Sequence, residues 1–173
     1  MSRFFPHPPY AEDQPLSKTI LTTHVLTRAI QAGSLVGSGI GLSLLTLRRF
    51  NILSPHVPPL PAYVTILRST GVGAVVAFGI LSIGLPIRMW GREEIEWKDR
   101  SWRLRANKGQ TECDDYTYGG MAIAAAAVAW KGRGLGWKGV IGGVGAGSVL
   151  GMVSYMGWRN GVKGGKFDEE NDP

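Results

Sequence analysis

The sequence predicts an all-α integral membrane protein: four transmembrane helices with small-residue packing and a charged connector between helices 2 and 3. Three observations carry that expectation. Four stretches hold no charged residue yet are fenced by charges at both ends: Ala29–Leu47, Ser69–Ile87, Tyr116–Trp130 and Gly139–Trp158. Three of them are about 19–20 residues long, enough for a helix to cross about 30 Å of hydrocarbon. A soluble core helix keeps charge on its outer face, and these have no face that prefers water. Aromatic residues gather at the ends of the blocks, at Tyr63, Trp90, Tyr116, Tyr118, Trp130, Trp137, Tyr155 and Trp158. Amphipathic rings favour the headgroup level, so Trp90, Trp130, Trp137 and Trp158 are the expected membrane-interface anchors. Glycine, at 25 residues, has about twice its usual share, and in membrane helices small residues let backbones approach.

The elements follow in order. Residues 1–15 form an extended arm, because four prolines deny it helix and sheet pairing. Glu12 and Asp13, and the lack of an early apolar run, argue against a secretory signal or a cleavable presequence, so the spans are expected to carry any organellar address. Ser17 is the expected N-cap of a helix that starts at the interface. Leu16–Thr27 mixes apolar and polar residues and is expected along the membrane surface before the chain turns inward. Arg48 and Arg49 end the first span (29–47), and Ser54–Pro61, with four prolines, is a rigid turn. The second span (69–87) starts near Tyr63 or Ser69 and ends at Pro86.

Residues 89–115 are the longest and most charged connector. Read as a helix, Glu94/Lys98, Glu96/Arg100 and Asp99/Arg103 are i,i+4 pairs with the acid first, the favoured order. Read as a hairpin, Ile95 and Trp97 alternate with charges, as do Trp102 and Leu104 beyond Lys98–Ser101. The helix is slightly favoured because no Asn-Gly or Asp-Gly turn supports the hairpin. The third span (116–130) is short, about 22 Å at 1.5 Å per residue. Extending it back over Cys113–Asp115 brings Asp114 and Asp115 to its N-terminus, where they cap it and complement the helix dipole. Gly-rich Lys131–Lys138 is a tight turn that makes the third and fourth (139–158) spans antiparallel neighbours. The membrane domain is 16–159, and the tail, 160–173, is expected to be flexible.

Gly139, Gly143, Gly147 and Gly151 recur every four residues and form one helix ridge, as do Gly33, Gly37 and Gly41 in the first span. Ser69, Gly73 and Ala77 continue the theme in the second, and Ala122 and Ala126 in the third. Such ridges serve close packing within the chain or against another subunit. The spans contain no Asp, Glu, Lys, Arg or His, which argues against a pump or ion-coupled carrier. Gln31 lies near the edge of the first span and is expected at the interface. The net charge of +6 is spread over every connector and mixed with acids, which argues against nucleic-acid binding. One cysteine, Cys113, and the dispersed His7, His24 and His56 make a metal site an unlikely expectation. No P-loop, G-x-S-x-G or H-E-x-x-H motif is present, so no catalytic, cofactor-binding or metal-binding residue and no small-molecule substrate is expected. Structural lipids are the allowed exception. Counting Lys and Arg, and weighing short acid-free loops, point to opposite membrane orientations.

Three segments resemble a known family: Phe4-Phe5-Pro6-His7-Pro8-Pro9-Tyr10, the run Trp90–Leu104 (WGREEIEWKDRSWRL), and Asn107-Lys108-Gly109-Gln110 followed by Asp114-Asp115. They are similar to the NUXM accessory subunit family of fungal mitochondrial respiratory complex I, over most of the chain. The resemblance implies a multi-pass subunit of NADH:ubiquinone oxidoreductase in the mitochondrial inner membrane. That subunit would pack against other membrane-arm subunits and lipids, support assembly or stability, and hold no flavin or iron–sulfur cluster. Trp97, Trp102, Arg103, Asp114 and Asp115 in the connector are the partner-contact candidates. A competing expectation is a component of an inner-membrane protein translocase or pore, which should line one helix face with polar groups. A small membrane enzyme or lipid-binding protein is a third.

Overall fold

The computed structural model describes residues 5–52, 60–132 and 134–165. Five α-helices run through them: α1 (Ser17–Arg49), α2 (Ala62–Arg88), α3 (Glu94–Ala106), α4 (Lys108–Lys131) and α5 (Gly136–Gly157). One π-helical turn, Trp158–Val162, prolongs α5, and a 3-10 turn, Ala11–Asp13, interrupts the arm. The prolines at 55, 58 and 59, His56 and the end of the tail (166–173) lie outside the described residues.

α1 is one helix of 33 residues, about 50 Å long at 1.5 Å per residue. Leu16–Thr27 therefore does not lie along the surface but joins the span without a break. Ser17 is not its cap. The capping position is Leu16, in the left-handed conformation (φ 54°) with no side-chain bond to the first turn. α2 passes through Pro86 and ends at Arg88, since a proline in the last turn removes only one backbone bond. The connector is helical. Glu93 and Glu96 close a capping box at the start of α3, and Arg103 and Arg105 sit in its last turn. Glu94 pairs with Lys98 at 3.4 Å and Asp99 with Arg103 at 3.0 Å, while Glu96 turns back to Arg92 at 3.2 Å.

Asn107 then ends α3 and caps α4, its side chain accepting the Gln110 amide at 3.1 Å. α4 thus starts well before Tyr116, and Asp114 and Asp115 lie in its second turn rather than at its cap. Among the described residues, three helices are long and apolar enough to cross a membrane: Ser17–Arg49, Ala62–Arg88 and Gly136–Val162. α4, whose uncharged stretch is short, is not among them.

The packing inverts a soluble core. Ser34, Thr70, Thr117 and Ser148 are 0 % exposed, whereas Ile80, Ile83, Ile87, Ile123 and Leu150 are 61–75 % exposed. Large apolar side chains point outward and small ones meet inside, the arrangement lipid favours because burying a Leu from lipid gains little. α1 packs antiparallel to α2, α4 antiparallel to α5, and α2 runs beside α5, which also touches α1.

Glycine sets each crossing. A Cβ on Gly33, Gly37 or Gly41 would come under 3.0 Å from the backbone of α2 at Gly73, Ser69–Thr70 and Ile66. On Gly147 and Gly151 it would strike the α4 backbone at Gly120 and Tyr116, and on Gly143 the Val128 side chain at 2.5 Å. Gly139 departs from the expected ridge: it meets Leu135, in the preceding turn of its own chain. A second α5 face goes beyond the predicted ridge. Gly142 meets the Leu67 carbonyl, Gly145 meets Ser34 and Ala74, and Gly71 of α2 meets the Lys138 carbonyl. α5 is thus glycine-faced on two sides and can sit between α2 and α4.

Gly142→Ala and Gly147→Leu are expected to destabilise the folded chain by about 1–3 kcal/mol or more, since the obstacle is backbone that cannot yield. Gly79→Ala, where the added Cβ meets open space, should be neutral or stabilising by up to about 1 kcal/mol. Reversible unfolding in detergent micelles reads the difference; equal effects at the three positions would refute this account of the packing.

Candidate functional site

At the end of the bundle that holds the N-terminus of α1, polar side chains replace glycine as the link between helices. On α1, His24, Thr27, Arg28 and Gln31 recur at three- and four-residue spacing and fall on one face. On α4, Gln110, Cys113, Asp114 and Thr117 do the same. The two backbones scarcely approach each other, so long side chains bridge the gap.

Arg28 is the centre. Its Nη2 donates to Asp114 Oδ1 at 2.7 Å and to Gln110 Oε1 at 2.8 Å. Its Nη1 donates to Gln31 Oε1 at 2.6 Å and approaches Cys113 Sγ at 3.6 Å. Asp114 Oδ2 lies 3.5 Å from His24 Nδ1. Gln31 is therefore buried rather than interfacial. Its Nε2 donates to Thr117 Oγ1 at 2.9 Å and to the Ser148 carbonyl at 3.2 Å, which adds α5 to the network. Thr27 and the Tyr118 hydroxyl share a 2.8 Å bond one turn away. Outside this core, Arg159 beyond α5 donates to Glu112 of α4 at 3.2 Å. A buried ion pair gains little over apolar packing, but removing one partner strands a charge. The added bonds from Gln31 and Gln110 are what make this one tolerable.

A second polar assembly holds the arm. Prolines remove backbone donors but leave carbonyls, so residues 5–14 present acceptors, and α3 presents donors. Trp102 Nε1 donates to the Pro8 carbonyl at 2.9 Å and Lys98 Nζ to the Glu12 carbonyl at 3.0 Å. Arg105 donates to the Phe5 carbonyl, and the His7 ring lies 5.5 Å from the Trp102 ring. The buried Gln14 closes the arm on itself through the Pro6 carbonyl at 3.0 Å. Burial pushes the Arg105 guanidinium below its ordinary range.

The residues expected to contact partners are thus largely turned onto the chain itself. Trp102 holds the arm, Trp97 carries the Lys18 ammonium 5.9 Å over its ring, and Asp114 is buried against Arg28. Asp115 is half-buried. Arg103 alone of the five is well exposed, bonded to Asp99. Of the expected anchors, Trp90, Trp130 and Trp137 are exposed, while Trp158 is half-buried, 6.0 Å from the Tyr116 ring. Among the described residues no group of three or more His, Cys, Asp and Glu could hold a metal ion. The geometry braces helices. What the sequence reading missed was the pair of polar stripes: Arg28 looks like an ordinary fence charge and Asp114 like a helix cap until their helical spacing is matched with that of Gln31, Gln110 and Thr117.

A family model described as "Protein of unknown function (DUF1757)" matches residues 11–154. No curated protein matches the chain.

Asp114→Asn should destabilise the bundle by about 3 kcal/mol by leaving Arg28 without its carboxylate. Asp114→Asn combined with Arg28→Gln should recover part of that loss, and a double-mutant cycle in micelles measures it. Additive losses would mean the pair is not coupled. Trp102→Phe keeps the ring but loses the indole donor, a change of about 1 kcal/mol. It should speed limited proteolysis of the arm while leaving helix content unchanged.

Proposed function

The chain belongs to the DUF1757 family of proteins of unknown function, and we propose that it is a non-catalytic accessory subunit of the membrane arm of mitochondrial NADH:ubiquinone oxidoreductase. In this reading it crosses the inner membrane four times, with α4, packed along one face against α5, making one of the crossings. The observation that carries a structural role is the inside-out packing. Glycine ridges and the Arg28–Asp114 network are consumed within the chain, while bulky apolar side chains face outward, toward lipid or larger membrane partners. The assignment to complex I is supported by the similarity of the arm, of Trp90–Leu104 and of the Asn107–Asp115 segment to the NUXM family. Two of these segments bind each other in the fold, Trp102 donating to the Pro8 carbonyl, and Arg105, just beyond the second segment, donates to the Phe5 carbonyl. They form one composite polar cap above the bundle, suited to a partner's loops.

A translocase or pore is the less favoured reading. A conducting path needs polar groups facing a passage. The buried Gln31, Thr70, Thr117 and Ser148 instead bond to neighbouring side chains or to helix carbonyls.

Native electrophoresis of gently solubilised mitochondria decides between them. The chain is expected to co-migrate with NADH dehydrogenase activity. Co-migration with protein-import machinery, or migration on its own, would overturn the assignment.

A further inference from the structure

At the opposite end of the bundle from Arg28, three positive features converge. Arg68 of α2 reaches across to donate its Nε to the Leu135 carbonyl at 3.1 Å. Lys138 lies in the first turn of α5, with its Nζ 5.5 Å over the Trp137 ring. The helix dipole makes that turn positive, so a lysine there is disfavoured. No acid stands in the first turn, and Leu135 gives it no side-chain cap. These groups form the mouth of a groove of about 830 Å³ between α1 and α2. Its walls are largely apolar, with Val36, Ile40, Val72, Val76 and Ile80 among them, and no acid among the described residues lines it.

Along α2 the groove runs from Arg68 to Ile80, about 18 Å at 1.5 Å per residue. That is slightly more than half of a hydrocarbon core of about 30 Å. Its depth thus matches one leaflet, its mouth lies where Arg68 and Lys138 end the uncharged blocks, and Trp137 sits there as an interfacial ring would.

We propose that this groove is a binding site for one anionic phospholipid, with its phosphate on Arg68, Lys138 and the first turn of α5 and an acyl chain along Val72–Ile80. Small residues create the space: Gly33 and Gly73 bring α1 and α2 together, and Val36, Ile40, Val72 and Val76 wall the cleft above the crossing. The phosphate supplies the negative charge that the mouth lacks. The inference rests on the chain crossing a bilayer but not on which complex it joins. A chain that never co-migrated with NADH dehydrogenase would still bind the lipid.

The test uses the purified full-length chain in nanodiscs of phosphatidylcholine doped with phosphatidylglycerol, with retained lipid counted by native mass spectrometry. Phosphatidylglycerol should be retained over phosphatidylcholine, with about a fivefold preference contributed by each cation. Lys138→Gln leaves the Arg68–Leu135 bond intact and should lose about fivefold of the preference. Val76→Trp keeps both cations but fills the groove, and should cut retention of both lipids. Inorganic phosphate should not displace the bound lipid. Equal retention of the two lipids by the native chain, a Val76→Trp variant that binds as before, or displacement by phosphate alone would overturn the proposal.

Discussion

Contact between helix backbones across glycine is the constraint from which the rest of this structure follows. Where Gly37 faces Ser69–Thr70, Gly142 faces Leu67 and Gly151 faces Tyr116, there is no room for a single carbon more. Dispersion between closely apposed backbones does in lipid what burial of large side chains does in water. The choice of glycine has a cost in helix propensity, about 1 kcal/mol per residue relative to alanine. Tertiary contact offsets it at the crossings. At Gly39, Gly79 and Gly84, where an added Cβ meets nothing, no contact does so.

Because the crossings consume the small residues, the large ones are left for the surface. That surface presents Ile and Leu to its surroundings, while uncharged Ser and Thr are buried along the crossings and charged groups gather toward the two ends. The ends differ in kind. At one, Asp114 pairs with Arg28 and Glu112 with Arg159, and the arm carbonyls accept hydrogen bonds from Trp102, Lys98 and Arg105. At the other, Arg68 and Lys138 stand beside a positive helix end without an acid of their own lining the cleft. The first end closes its polar groups on itself as a cap, whereas the second leaves two cations and a positive helix end facing an apolar cleft.

The arm shows how far a local reading carries. Apart from the 3-10 turn Ala11–Asp13, its described residues form no helix or strand, but the same prolines turn it into a row of carbonyls, and α3 supplies the matching donors. Neither segment reveals this alone. Trp97 and Trp102 were expected to await a partner, yet Trp102 donates to the Pro8 carbonyl and Trp97 carries the Lys18 ammonium over its ring.

From the sequence alone came the helical membrane character, the uncharged blocks, two of the three acid–base pairs in the connector (Glu94–Lys98 and Asp99–Arg103), and the close approach at Gly33, Gly37, Gly41, Gly143, Gly147 and Gly151. These are properties of periodicity along one chain, and periodicity is local. What each face meets was decided only in three dimensions: that Gln31 is buried, that Asp114 holds Arg28 rather than capping a helix, that Gly139 faces its own chain, and that Gly142 and Gly145 form a second face. The physical reason is that a helix records in its sequence which residues share a side, but not which neighbour covers that side. The neighbour is selected by how closely two whole surfaces fit, and that depends on the rotation and offset of every helix together.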